Sequence, residues 1–197
     1  MQEYKRPFAT YLKYEMMQIL QQRKKFLEPN ELLKLVPVER GMIVADFGAG
    51  SGHYALASAQ LVGRSGEIFA LDILEDSLSQ IAASARLTGI HNISTQICDL
   101  EKMGSCQLLD TSCDLVIVSS VLHQAEQKDS IIREAYRVLK TGAKVLVVDW
   151  TSDAVFGPPV GERIRKDEVR NLLEKHGFRP VKELPAGSFH YALLYSK

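Results

Sequence analysis

Apolar and polar positions change period several times along the chain, and each change marks an element. Phe8, Tyr11, Leu12, Met16, Ile19 and Leu20 recur at helical spacing and predict one amphipathic helix. A shorter helix is expected from Pro29-Asn30 through Leu35, stopped by Pro37. From Met42 onward short apolar runs alternate with helical patterns. The runs predict strands at 42–47, 67–71, 93–98, 115–119 and 144–149. Helices are expected at 53–62, after a cap at Asp76-Ser77 until Gly89, at 129–140 closed by Thr141-Gly142, and from a cap at Asp167 to His176. Residues 101–113 show little periodicity and read as a loop or degenerate helix. Residues 151–165, with Gly157-Pro158-Pro159, form a loop long enough to cover a site. The segments 181–184 and 189–195, joined by Pro185-Ala186-Gly187-Ser188, predict a terminal hairpin.

Alternating strands and helices imply an α/β fold with a parallel sheet. No repeat or composition break divides the chain, so the expectation is one domain over 1–197. Within it, 1–37 would form a helical cap and 38–197 the α/β core.

The most informative break lies at Asp46-Phe47-Gly48-Ala49-Gly50-Ser51-Gly52-His53. A buried strand ends on an acid, turns through three glycines and enters a helix. Such a loop lets a ligand approach the backbone and meet free helix N–H groups. A dinucleotide loop has the spacing G-x-G-x-x-G; here it is one residue tighter. Asp46 would repel a pyrophosphate and welcome an ammonium or sulfonium. S-adenosylmethionine carries both and no phosphate, so it fits better than a dinucleotide. Asp72 ends the next strand, where a βαβ nucleoside site holds ribose hydroxyls.

Composition narrows the partners. Lys+Arg and Asp+Glu are both 24, so no net field draws the chain to nucleic acid or an anionic membrane. No apolar run approaches the ~20 residues a bilayer requires. The three cysteines Cys98, Cys106 and Cys113 match no zinc spacing and read as buried or incidental thiols. With no secretory signal at the start, they suggest a reducing, cytoplasmic setting.

Residues 45–52, together with Ala70-Leu71-Asp72, Cys98-Asp99-Leu100 and the run from Asp114 to His123, resemble a class I S-adenosylmethionine-dependent methyltransferase. The similarity runs from about Gly41 to Trp150, and within that superfamily the type is the small one related to quinone-biosynthesis and arsenite methyltransferases. The resemblance implies a doubly wound, Rossmann-like sheet of seven mostly parallel strands, with a C-terminal antiparallel hairpin and N-terminal helices. By the same resemblance Asp46, Gly48, Ala49, Gly50 and Gly52 would surround the methionine part of the cofactor. Asp72 would take the ribose, Ile73 and Leu100 would contact adenine, and Asp99 would accept from its amino group. Ser119 falls at the same carboxyl ends of the strands, where open α/β sheets bind ligands.

His123 lies where related enzymes often place a histidine facing the acceptor. It would serve either as a general base or as a polar residue orienting its loop. His190 and His91 read as structural, and His53 would serve through its backbone N–H. Trp150, Pro158, Pro159, Glu162 and the N-terminal helix are expected to shape the acceptor pocket. That helix, with Tyr4, Tyr11 and Tyr14, would either lid the cofactor or pack on the sheet edge. The expected activity is methyl transfer to a small molecule, without a metal, nucleic acid or membrane. The acceptor and the oligomeric state stay open. Two other readings stay open as well: an NAD-dependent oxidoreductase, and a regulatory protein that binds S-adenosylmethionine without turnover.

Overall fold

The computed structural model describes residues 26–197. The amphipathic pattern from Phe8 to Leu20 and the three early tyrosines lie outside the described residues. The elements run α1 (Pro29–Leu33), β1 (Ile43–Phe47), α2 (His53–Val62), β2 (Glu67–Asp72), α3 (Glu75–Leu87) and β3 (Ile93–Ile97). There follow β4 (Cys113–Ser119), α4 (Lys128–Val138), β5 (Leu139–Trp150), a 3-10 turn (Val160–Glu162), α5 (Lys166–Lys175), β6 (Arg179–Leu184) and β7 (His190–Ser196).

The seven strands form one sheet in the order β3-β2-β1-β4-β5-β7-β6. Neighbours from β3 to β5 pair in parallel, while β7 runs antiparallel to both β5 and β6. The chain therefore builds outward from β1 to β3, then returns to lay β4 on the other side of β1. The strand order reverses there, and a crevice opens at the carboxyl ends of β1 and β4.

Both faces of the central strands are covered, which is why β1 and β4 read as continuous apolar runs. On one face Ala55, Val62 and Ile81 of α2 and α3 pack with Val44, Ile68 and Ile117. On the other, Ile131 and Ile132 of α4 and Val169 and Leu173 of α5 pack with Ala45, Val116 and Val147. Leu32 and Leu33 of α1 join the first of these layers.

Several boundaries differ from expectation. Helix α4 stops at Val138 rather than running to Thr141-Gly142, because the N–H groups of Thr111 and Ser112 donate to the carbonyls of Arg137 and Val138. Leu139 then turns extended (φ −72°, ψ 137°) and pairs with Cys113, so β5 begins five residues before Lys144. At α3 the capping position is Leu74 rather than Asp76 or Ser77, and its N–H donates to the Asp72 carboxylate at 2.9 Å. At α5 it is Arg165, with Asp167 inside the first turn, where an acid still favours the helix dipole.

The 151–165 loop folds on itself instead of spanning the crevice. Arg163 donates to the carbonyls of Thr151, Ser152, Ala154, Phe156 and Pro158 at 2.8–3.2 Å. Phe156 stacks with Phe26 and Phe189, ring centroids 5.8 and 5.4 Å away.

Candidate active site

Strand β1 delivers Asp46 into the crevice and then breaks into the glycine loop. Gly48, Gly50 and Gly52 all take positive φ, of 69°, 49° and 79°. The three serve different ends. A Cβ on Gly48 would collide with Val121, and one on Gly52 would stand 2.5 Å from Ile81 of α3. Gly50 meets only open space, and its N–H points to the Asp72 carboxylate at 2.8 Å. Gly50 is thus the glycine that bares backbone to a ligand. Gly52 lies behind the loop, outside the cavity lining, and lets α2 and α3 close on each other.

The cavity over this loop holds about 590 Å³, ample for a small ligand. Asp46, Gly48, Ala49, Gly50, Asp72, Ile73, Asp99, Leu100 and Ser119 all line it. Nine of the expected residues thus converge there from four strand ends. Asp46 is buried, with one carboxylate oxygen lacking any partner. Burial, helped by the nearby Asp72 charge, pushes its pKa up to about 7. A cation placed against it would be compensated at once.

Asp72 accepts the Gly50 and Leu74 N–H groups, one on each oxygen. Each oxygen keeps a second lone pair for a hydroxyl. Ile73 is 62% exposed at the rim, an apolar side chain with an open face. Asp99 is partly committed to its own turn: it accepts the Glu101 N–H at 3.1 Å and pairs with Lys102 at 2.8 Å. The Lys102 ammonium holds its carboxyl below the usual range.

Among the described residues the lining holds the acids Asp46, Asp72, Asp99 and Glu101, and neither lysine nor arginine. Such a wall suits a cation and gives a pyrophosphate no counter-charge. The orphaned Asp46 oxygen, the open side of Gly50 and the bare face of Ile73 fit the ammonium, backbone and base of S-adenosylmethionine.

Comparison with known proteins agrees. A methyltransferase domain model matches residues 38–177. The chain belongs to the methyltransferase domain family. This methyltransferase is 31% identical to the arsenite methyltransferase of Aquipseudomonas alcaligenes over 74% of its own length and 47% of that protein's. It is 34% identical to the ubiquinone/menaquinone biosynthesis C-methyltransferase of Bordetella parapertussis, covering 76% of the chain and 62% of that relative. The chain thus spans about half to three fifths of these relatives. The crystal structure of a SAM-dependent methyltransferase from Aquifex aeolicus superimposes with a TM-score of 0.80 at 25% identity, covering 88% of this chain and 91% of that one. Family and fold together place the chain among the class I S-adenosylmethionine-dependent methyltransferases.

The methyltransferase departs from the sequence expectations on the acceptor side. His123 stands outside the cavity lining: its Nδ1 pairs with the wholly buried Asp149 at 3.0 Å, and its backbone N–H donates to the same carboxylate at 3.3 Å. It orients the turn after β4. A histidine that does line the cavity is His190, the first residue of β7. It pairs across the sheet with Trp150 and stacks on that indole, centroids 4.2 Å apart. Its Nδ1 is buried without a partner among the described residues, and burial lowers its pKa, which favours the neutral ring.

Trp150, Pro158, Pro159 and Glu162 also stand outside the lining; Trp150 acts through His190. Tyr54, in the first turn of α2, adds a buried hydroxyl with no partner among the described residues. Ser120, with φ 57°, shows the left-handed backbone that non-glycine residues adopt at a cost. It too lines the cavity. The His53 side chain also lines it, hydrogen-bonded to Ser51 at 2.7 Å.

Proposed function

We propose that this methyltransferase moves a methyl group from S-adenosylmethionine to a small, neutral acceptor held between the glycine loop and His190. The observation that carries the reading is the buried Asp46 carboxylate, half unpartnered, at the turn from β1 into the glycine loop. In this reading Asp46, Gly48, Ala49 and Gly50 hold the amino-acid end of the donor. Asp72 takes the ribose hydroxyls. Ile73 and Leu100 sandwich the adenine, with the free lone pairs of Asp99 at its amino edge. Ser119 and Tyr54 flank the reacting end.

S-adenosylmethionine supplies a methyl group already activated on a sulfonium. The chain's own task is then to align the acceptor and exclude water. Well-oriented groups contribute roughly 7–11 kcal/mol through proximity alone. His190, neutral and backed by Trp150, is placed to accept a proton from a hydroxyl or amine as it is methylated. His123 has a positioning role through Asp149.

An acceptor carrying carboxylate or phosphate would meet four acids among the described lining residues and no compensating cation, which favours an uncharged one. The curated relatives are named for arsenite and for a carbon methylation in quinone biosynthesis. Those names span two accepting atoms and choose neither. Incubating the chain with isotopically labelled S-adenosylmethionine and a fractionated metabolite extract tests the reading. Label should enter one small-molecule fraction. Binding without any labelled product would instead support a regulatory protein.

A further inference from the structure

Cys98 and Cys106 are joined as a disulfide, with Cα atoms 5.1 Å apart, inside the span such a bridge requires. The bridge closes the loop that forms one end of the cavity. Cys98, Asp99, Leu100 and Glu101 all line that end, and the Cys98 N–H donates to the Asp72 carbonyl at 2.9 Å. The bridge therefore fastens the loop to the strand end that carries the ribose acid.

The loop's other ties are few. No helix or strand spans residues 98–112. Asp99 N–H donates to the Ser105 hydroxyl at 2.8 Å, and Lys102 and Ser105 make two turn hydrogen bonds. Glu101 accepts the Gln127 N–H at 2.5 Å. Past Cys106 the segment is held by the Gln107 N–H on Gln96 at 2.9 Å, by Arg137 on the Leu108 carbonyl at 2.8 Å and by Leu108 in the core, so opening the bridge would loosen chiefly the 99–106 turn that carries Asp99. Cys98 and Cys106 are 1% and 4% exposed, and Cys98 lines the cavity. A reagent would thus reach the pair when the cavity is empty, and a bound nucleoside would screen it. Cys113 is separate, buried and free, its thiol pushed up by burial.

We propose that Cys98 and Cys106 are a reversible modification site for small, uncharged disulfides, whose closed form readies the adenine end of the cavity. The proposal rests on the S-adenosylmethionine reading of that cavity. In the forward step one cysteine thiolate attacks a sulfur of the reagent. The reagent's S–S bond breaks, one thiolate leaves, and a mixed disulfide forms. The second cysteine thiolate then attacks the protein sulfur of that mixed disulfide and expels the second thiolate. The two cysteines lose two electrons and two protons, and the reagent becomes two thiols. Closure removes freedom the loop would otherwise lose on binding, so affinity rises by preorganisation.

The test titrates the full chain with S-adenosylmethionine calorimetrically, once after a reducing phosphine and once after hydroxyethyl disulfide, a small uncharged disulfide. Thiol labelling under denaturing conditions, read by mass, should count three thiols and then one. The oxidised chain should bind about tenfold more tightly, within the usual range of coupling between sites. By reciprocity, saturating S-adenosylmethionine should shift the reduction equilibrium by the same factor. Cys106→Ser, which cannot close the bridge, should keep the weaker affinity in both preparations. Equal affinities with the pairing verified would overturn the switch and leave the cofactor reading standing. So would a pair that never closes at any ratio of hydroxyethyl disulfide to mercaptoethanol. If neither form binds while circular dichroism shows a folded chain, the cofactor reading falls and the switch falls with it.

Discussion

Asp46 is the residue at which sequence, burial and chemistry meet. Its carboxyl has a pKa of about 7 in the folded chain against 3.8 for the ordinary group. The fold therefore holds a proton that the unfolded chain releases. That contribution to stability is full below pH about 4 and is lost as pH rises through about 7. Asp46→Asn removes the penalty of the buried charge, so above pH 7 it should raise stability by an amount on the order of a few kcal/mol, measured by urea unfolding. The same change should weaken S-adenosylmethionine by about 1.5–3 kcal/mol, because a charged hydrogen bond is lost. A loss of stability, or unchanged affinity, would show that Asp46 is merely structural. Asp72→Ala should weaken binding by about 1–3 kcal/mol, the cost of unpaired hydroxyls, and should also loosen Gly50 and the start of α3.

Much of this was legible because an acid beside a glycine loop is a local signal. His190 was not. Its place in the cavity wall depends on β7 pairing antiparallel with β5, which brings it beside Trp150. Nothing within a few residues of His190 announces that contact.

At the scale of elements, the turn from β1 into α2 was readable to within a residue, whereas the end of α4 was not. The first is written in glycine spacing. The second is set by Thr111 and Ser112, distant in sequence, donating to the last helical carbonyls. The glycine assignment has a consequence that unfolding and binding together can check. Gly52→Ala should cost about 1–3 kcal/mol of stability, from overpacking against Ile81 and an unfavourable φ. Gly50→Ala should spare more of the fold and act chiefly on cofactor affinity. Equal effects of the two changes on stability would contradict the division of roles.

Arg163 offers a second check at this scale. Its guanidinium collects five carbonyls of the 151–163 segment. Arg163→Ala should therefore increase amide exchange across that loop before anywhere else. The long loop was identifiable from its length and prolines. That it coils around an arginine instead of covering the crevice follows from geometry that composition does not encode.

For the whole molecule, alternation of strand and helix was enough to expect a parallel sheet, while the doubly wound form with its antiparallel end was what the family resemblance implied. The crevice sits where strand order reverses between β1 and β4, and the lining gathers acids from three separate strand ends. The pairing of Cys98 with Cys106, eight residues apart in an aperiodic segment, was hidden because it depends on how that loop folds back. A ligand that bridges these strand ends should stabilise the sheet as a unit. Saturating S-adenosylmethionine should raise the melting temperature, while NADH at the same concentration should leave it unchanged.

The central claim is that a cationic, phosphate-free nucleoside binds against Asp46. Calorimetric titration with S-adenosylmethionine near pH 6.5, repeated in buffers of different ionisation enthalpy, tests it most directly. One-to-one binding that releases a proton, with the release fading above pH 8, is the expected result. Binding with no proton release in the wild-type chain, or a cavity that takes NADH and refuses S-adenosylmethionine, would contradict the account.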